Sequence, residues 1–190
     1  MADRFNDLIQ RDLKEPEPYS YATALFYYRA STGYRDITKR LKYRGDISSG
    51  RYFSGMLAEE IACSSLFADV DTVIPVPLHW TRRWSRGYNQ AEVIGETIAR
   101  RLGSSARPDI LKRQRRTKTQ TRLSIEGKEA NVSDAFRLRK GIDLSGCRHI
   151  LLVDDVFTTG ATVNSCRAVL RSVVGAGTRI SVATLACVGD

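Results

Sequence analysis

The stretch Ile150-Leu-Leu-Val-Asp-Asp-Val-Phe-Thr-Thr-Gly-Ala-Thr162 constrains the fold of this chain more than any other. Ile150 to Val153 is continuously apolar, and a strand carries such a run when both of its faces are buried, the situation of a parallel sheet covered by helices. Two acids and a hydroxyl-rich, glycine-containing turn follow. A helix comes next, with Val163, Cys166, Leu170 and Val173 on one side.

The same alternation recurs along the chain. Tyr19 to Tyr28 reads as a strand, and Tyr34 to Tyr43 as a short helix with a basic face, closed by Arg44-Gly45-Asp46. Phe53, Met56, Leu57 and Ile61 recur at helical spacing and predict a helix from about Gly50 to Phe67. Thr72 to Val76 is a short strand ending in prolines. Asn89 to Leu102 is a helix with a stripe of Ala91, Ile94, Ile98 and Leu102. Ile110 and Leu111 start a further strand, and Arg179 to Val188 forms the last. Strand, helix, strand, repeated, means an α/β fold with a parallel sheet flanked by helices.

At 190 residues the chain has the size of one domain. Residues 1–48 are expected to form an N-terminal helix and a small hood, set off by the linker-like Lys14 to Pro18, and residues 49–190 a ligand-binding core. No apolar run reaches the roughly 18 residues of a membrane helix, and the first residues lack the basic start and apolar centre of a secretion signal, so a cytoplasmic protein without membrane contact is expected. Cys63, Cys147, Cys166 and Cys187 lie far apart and read as buried free thiols. The net charge of +9 implies an anionic partner; phosphorylated metabolites and nucleic acid both satisfy it.

Ligands of parallel sheets bind beyond the carboxyl ends of the strands, which directs attention to the loops after Val76 and Val153. Thr158 to Thr162 suits a phosphate. Backbone N–H groups at a helix start attract an anion, threonine hydroxyls add donors, and Gly160 lets the backbone approach it. Asp154 and Asp155 would repel that phosphate, so they must face a neutral part of the ligand or a bound cation. A ribose diol fits, because carboxylates accept hydrogen bonds from adjacent hydroxyls at charge-assisted strength. The bland alternative is a capping cluster on an ordinary helix.

Val-Asp-Asp-Val-Phe-Thr-Thr-Gly-Ala-Thr resembles the phosphoribosyl-pyrophosphate (PRPP) signature of the type I phosphoribosyltransferases. The resemblance implies that Asp154 and Asp155, the catalytic candidates, hold the ribose hydroxyls. It also implies that Thr158, Thr159, Gly160, Ala161 and Thr162 cradle the 5′-phosphate. Mg²⁺ would be held through PRPP with no direct protein ligand, and the reaction would move the phosphoribosyl group to an unidentified base or amine with release of pyrophosphate.

Val73 to Gln90 places Arg82, Arg83 and Arg86 beyond a strand end. Arginine forks bind phosphates bidentately, so the loop suits a pyrophosphate; a solvated face, a nucleic-acid patch and simple packing of Trp80 and Trp84 are the alternatives. Pro75 to His79, Arg86 to Ala91 and Leu41 to Asp46 resemble the competence-protein F (ComF-like) branch, which implies pyrophosphate contacts from Leu78, His79, Arg82 and Arg86. The cysteine-rich zinc-binding segment with which many ComF-like proteins begin is not found in these residues. ComF-like proteins are associated with competence, so the rival reading is a non-catalytic protein of DNA uptake.

Lys112 to Arg122 contains six basic residues and no acidic or apolar one, so it cannot build a core. It reads equally as a flexible loop over the site, with Lys118 and Arg122 in reach of ligand, or as a contact for single-stranded DNA. His149 reads as structural, and His79 as a hydrogen-bonding residue of the pyrophosphate loop. A homodimer is a possible assembly.

Overall fold

The computed structural model of the chain describes residues 20–29, 47–79, 84, 87–114 and 135–189. In order along the chain lie β1 (Ala22–Arg29), α1 (Ile47–Ala62), β2 (Thr72–Pro75), α2 (Gln90–Leu102), β3 (Ser105–Ala106), β4 (Leu111–Arg113), β5 (Phe136–Leu138), β6 (His149–Phe157), α3 (Ala161–Arg171) and β7 (Arg179–Gly189). Five strands form one parallel sheet in the order β1-β7-β6-β2-β3. This is the α/β architecture expected from the apolar runs.

The order explains why Ile150 to Val153 is apolar without interruption. β6 is the central strand, and all four residues are buried. One face of the sheet, with Val73, Leu151, Val153, Ala183 and Leu185, packs against Leu57 and Ile61 of α1 and Ile94 and Ile98 of α2. The other, with Ile74, Ile150, Leu152, Ile180 and Val182, packs against Val163, Cys166 and Leu170 of α3. Fully burying each such side chain contributes about 1.5–3 kcal/mol.

Several expectations are corrected. The helix expected to reach Phe67 ends at Ala62, and Ser65–Phe67 is a separate 3₁₀ turn. Met56 lies one step off the buried stripe of Leu57, Ala58 and Ile61 and is 43% exposed. Val173 falls beyond the end of α3 and is 46% exposed. The strand near Ile110 spans Leu111–Arg113 but joins an antiparallel hairpin with β5, outside the main sheet. Cys166 and Cys187 are buried, whereas Cys63 is exposed, and all four cysteines are free thiols.

The hood boundary also shifts. Residues 22–29, expected in the hood, are the edge strand of the core sheet, with Ala22 opposite Val182 and Tyr28 opposite Val188. The N-terminal helix, the helix over 34–43, Trp80, Arg82, Arg83, Arg86, Lys118 and Arg122 lie outside the described residues. No helix of the described residues is long and apolar enough to cross a membrane.

At the amino ends of the strands a buried polar network ties three elements together. His149, fully buried, places Nδ1 2.8 Å from Asp69 Oδ1 and Nε2 2.7 Å from Ser181 Oγ. Ser181 Oγ also accepts from the Tyr21 N–H at 3.2 Å, and Asp69 pairs with Arg179. Burial pushes the His149 pKa below its ordinary value against the opposing charge of Asp71, so the neutral imidazole belongs to the fold. The structural reading of His149 therefore holds: it lies at the end of the sheet opposite the candidate site.

Candidate functional site

β6 runs on through the acid pair and ends at Phe157, so Asp154 and Asp155 lie in the last turns of the strand rather than in the loop beyond it. Val153 packs under α1 and α2, but Phe157, four residues on, packs under α3. The two-residue alternation of a strand is thus broken once between them, across the acid pair. Both aspartates are half-buried, and Asp154 Oδ1 accepts the Asp155 N–H at 2.8 Å. Asp154 lies opposite Thr184 of β7 and close enough to Cys166 of α3 for its charge to act on that thiol. Burial first, and Asp154 second, push the Cys166 thiol well above its ordinary range, which makes it a neutral packing group.

The turn after β6 brings the proposed phosphate residues together. Thr158 and Thr159 are exposed, Gly160 is buried, and α3 begins at Ala161 with Gly160 as its N-cap. Gly160 has φ +72°, the left-handed region, and no side chain caps the helix start. The N–H groups of a first helical turn have no partner within the helix, and the helix dipole adds positive potential there. The Asn164 N–H donates to the Gly160 carbonyl at 2.8 Å, which locks the turn onto the helix.

The glycine serves a purpose the residue pattern does not reveal. A Cβ at Gly160 would lie 2.9 Å from Phe157 Cζ and 3.2 Å from Cε2. The missing side chain makes room for the aromatic ring at the end of β6. The sequence marks this only by an aromatic residue three positions before the glycine.

Beyond β2, Val76 is held by a bond from its own N–H to the Val153 carbonyl at 2.8 Å. Asn89 secures the return of the loop: its Nδ2 donates to the Val76 carbonyl at 3.0 Å, and its Oδ1 accepts from the Ala91 N–H at 3.2 Å. One side chain therefore caps α2 and pins it to the end of β2, fixing both roots of the arginine loop beside the acid pair. Within this loop Leu78 is half-buried and His79 is buried, while Trp84 is 87% exposed, so Trp84 is not packed in a core. Among the described residues no three His, Cys, Asp or Glu side chains gather into a metal-binding group.

No protein-family model matches the chain. It is 40% identical over 101 residues to the competence protein F of Haemophilus influenzae, covering 53% of this chain and 44% of that protein. It is 29% identical over 156 residues to the DNA utilization protein YhgH of Salmonella typhimurium, covering 80% of this chain and 66% of that protein. The competence protein ComFC of Streptococcus pneumoniae is 28% identical over 147 residues, 77% of this chain and 60% of that protein. The chain thus spans between 44% and 66% of the length of these relatives. Among solved structures, the orotate phosphoribosyltransferase of Aeropyrum pernix aligns over 70% of each chain at a TM-score of 0.33 and 20% identity. The adenine phosphoribosyltransferase of Leishmania tarentolae aligns over 94% of this chain and 99% of its own at a TM-score of 0.41 and 16% identity. By sequence, the chain is similar over about half of its length to a competence protein F and, at lower identity, over about four fifths of it to a DNA utilization protein.

Proposed function

We propose that this chain binds PRPP with Mg²⁺ at the carboxyl end of β6 and transfers its phosphoribosyl group to a base or amine, releasing pyrophosphate. The observation that carries this reading is the continuous unit from Asp154 to Thr162: an acid pair at a strand end, a left-handed glycine, and an uncapped helix start in immediate succession. The turn supplies N–H and hydroxyl donors to the 5′-phosphate, and the carboxylates take the ribose diol a few residues away. Two half-buried carboxylates offer too few oxygens for a closed cation cage. Mg²⁺, which keeps water and ligand oxygens in its shell, would therefore be held through PRPP. When bound, the cation would neutralise charge growing on the pyrophosphate. The chain's own residues would hold the two phosphate ends apart and orient the sugar between them.

A second reading has its own support. The relatives are named for competence and for DNA utilization, the net charge is +9, and Trp84 stands exposed within an arginine-rich loop. An exposed aromatic among arginines is a stacking platform for single-stranded DNA. In that case the PRPP-type site has no transfer partner, and binding to DNA falls steeply with salt.

One experiment separates the two readings. PRPP, Mg²⁺ and a panel of nucleobases and amines are screened for pyrophosphate release. In parallel, labelled single-stranded DNA is titrated at two salt concentrations with and without PRPP. Pyrophosphate release with at least one acceptor, and DNA displaced by PRPP, is the expected result. Tight DNA binding indifferent to PRPP, with no pyrophosphate released for any acceptor, overturns the transferase reading in favour of DNA handling.

A further inference from the structure

Thr184 of β7 is fully buried, and among the described residues its Oγ1 has no hydrogen-bond partner. Its neighbours along the strand set the face it occupies. Ala183 and Leu185 pack under α1 and α2 and Val182 packs under α3, so Thr184 faces α3. There it is paired in register with Ala24 of β1 on one side and with Asp154 of β6 on the other. Ala24 and Val182 offer a hydroxyl only methyl groups. Asp154 supplies an acceptor one strand spacing away, about 4.8 Å between the backbones.

A buried hydrogen-bonding group without a partner destabilises a fold, and valine, of nearly the same shape, would fill this position without that penalty. Packing therefore gives no reason for the hydroxyl; Asp154 does. β6 pairs with β7 at Asp154–Thr184 and again at Val156–Ala186, and β1 pairs with β7 at Ala24–Thr184 and again at Phe26–Ala186. Among the described residues the rung between, at Leu185, is unpaired in both ladders, and there the alternation of β6 breaks. Asp154 Oδ1 braces this rung by accepting the Asp155 N–H at 2.8 Å. A carboxylate has about four acceptor sites, enough to keep that N–H and still take the Thr184 hydroxyl and a hydroxyl of a ligand.

We propose that Thr184 is a positioning residue of the candidate site: its hydroxyl donates to the Asp154 carboxylate when that group turns to a ribose diol, and fixes the angle at which the diol is held. The inference rests on the PRPP reading for the ligand, and it adds a residue that touches neither sugar nor phosphate. A hydrogen bond to an ionised acceptor is about twice as strong as a neutral one, so Thr184 orients the carboxylate without adding charge beside the phosphate.

The test is calorimetry on the full chain with PRPP and Mg²⁺, with ribose 5-phosphate and with inorganic phosphate, comparing wild type, Thr184→Val and Thr184→Ser. Thr184→Val is expected to weaken both sugar phosphates at least about fivefold, to leave inorganic phosphate unchanged, and to have a urea midpoint equal to or above wild type. Thr184→Ser, which keeps the donor, should restore most of the sugar-phosphate affinity. A purely structural role would move all three ligands together. Equal sugar-phosphate affinity in wild type and Thr184→Val overturns the proposal and leaves the PRPP reading in place. An equal loss for inorganic phosphate, no rescue by serine, or a midpoint of Thr184→Val below wild type also overturns it, because the residue would then serve the fold. No binding of either sugar phosphate by wild type overturns the PRPP reading itself, and this proposal with it.

Discussion

Phe157 and Gly160 occupy each other's space: a Cβ at Gly160 would stand 2.9 Å from the tip of the Phe157 ring. A left-handed φ of +72° adds a second demand for glycine at the same residue. Gly160→Ala should therefore destabilise the protein by about 1–2 kcal/mol through backbone conformation, with a further cost from the displaced ring. Phe157→Leu in the same chain should relieve the ring part alone, giving a coupling of about 0.5–1 kcal/mol between the two positions. Denaturant midpoints of the two single variants and the double variant measure it. Additive effects would show that the ring and the glycine do not constrain each other.

The acid pair should read the sugar. Asn at both Asp154 and Asp155 is expected to weaken PRPP more than tenfold, a loss above about 1.4 kcal/mol, while phosphate and sulfate lose little. Calorimetry with the three ligands decides the matter. An equal loss for simple anions would mean that the carboxylates only support the turn.

Asn89 performs two tasks with one side chain, capping α2 and donating to the Val76 carbonyl. Asn89→Ala should cost about 1–3 kcal/mol, because the cap is lost and a buried carbonyl is left without its donor. Asn89→Ser, which keeps a capping oxygen but cannot reach Val76, should fall between the two. A stability for Asn89→Ser equal to wild type would remove the strand-end bond from the account.

His149 makes stability fall on the acid side. Its folded pKa lies below the unfolded value near 6.5 because burial disfavours the imidazolium. The unfolded chain thus binds the proton first, and stability present above about pH 6.5 is lost as the pH falls from there towards the folded pKa. Urea midpoints at pH 7.5 and 5.5 should show this drop in wild type and a smaller one in His149→Gln. That variant should also be about 1–3 kcal/mol less stable at pH 7.5, from the broken bonds to Asp69 and Ser181. Equal acid slopes in the two proteins would assign the titration to other groups.

Much of this molecule is legible in local pattern. The four-residue apolar run of β6, the stripe of α2 and the hydroxyl-rich turn before α3 are each set by residues close together in the chain. Their periodicity and turn chemistry act over that short range. From them follow the parallel sheet and the placing of an acid pair and a hydroxyl-rich turn beyond Val153, to which the proposed function assigns sugar and phosphate.

Tertiary structure decided what depends on contacts between distant residues. β1 reads as a plausible strand anywhere, and only its pairing with β7, about 160 residues on, makes it the sheet edge instead of part of a hood. Asp69, His149 and Ser181 have no shared motif; they meet because the 3₁₀ corner, β6 and β7 start at one end of the sheet. Thr184 and Asp154 become neighbours in the same way, through the pairing of β7 with β6. Even within the signature segment, the clash that requires Gly160 comes from how the loop folds Phe157 back onto it. Spacing along a chain specifies which residues share a face, but which faces meet is set by burial and pairing across the whole sheet.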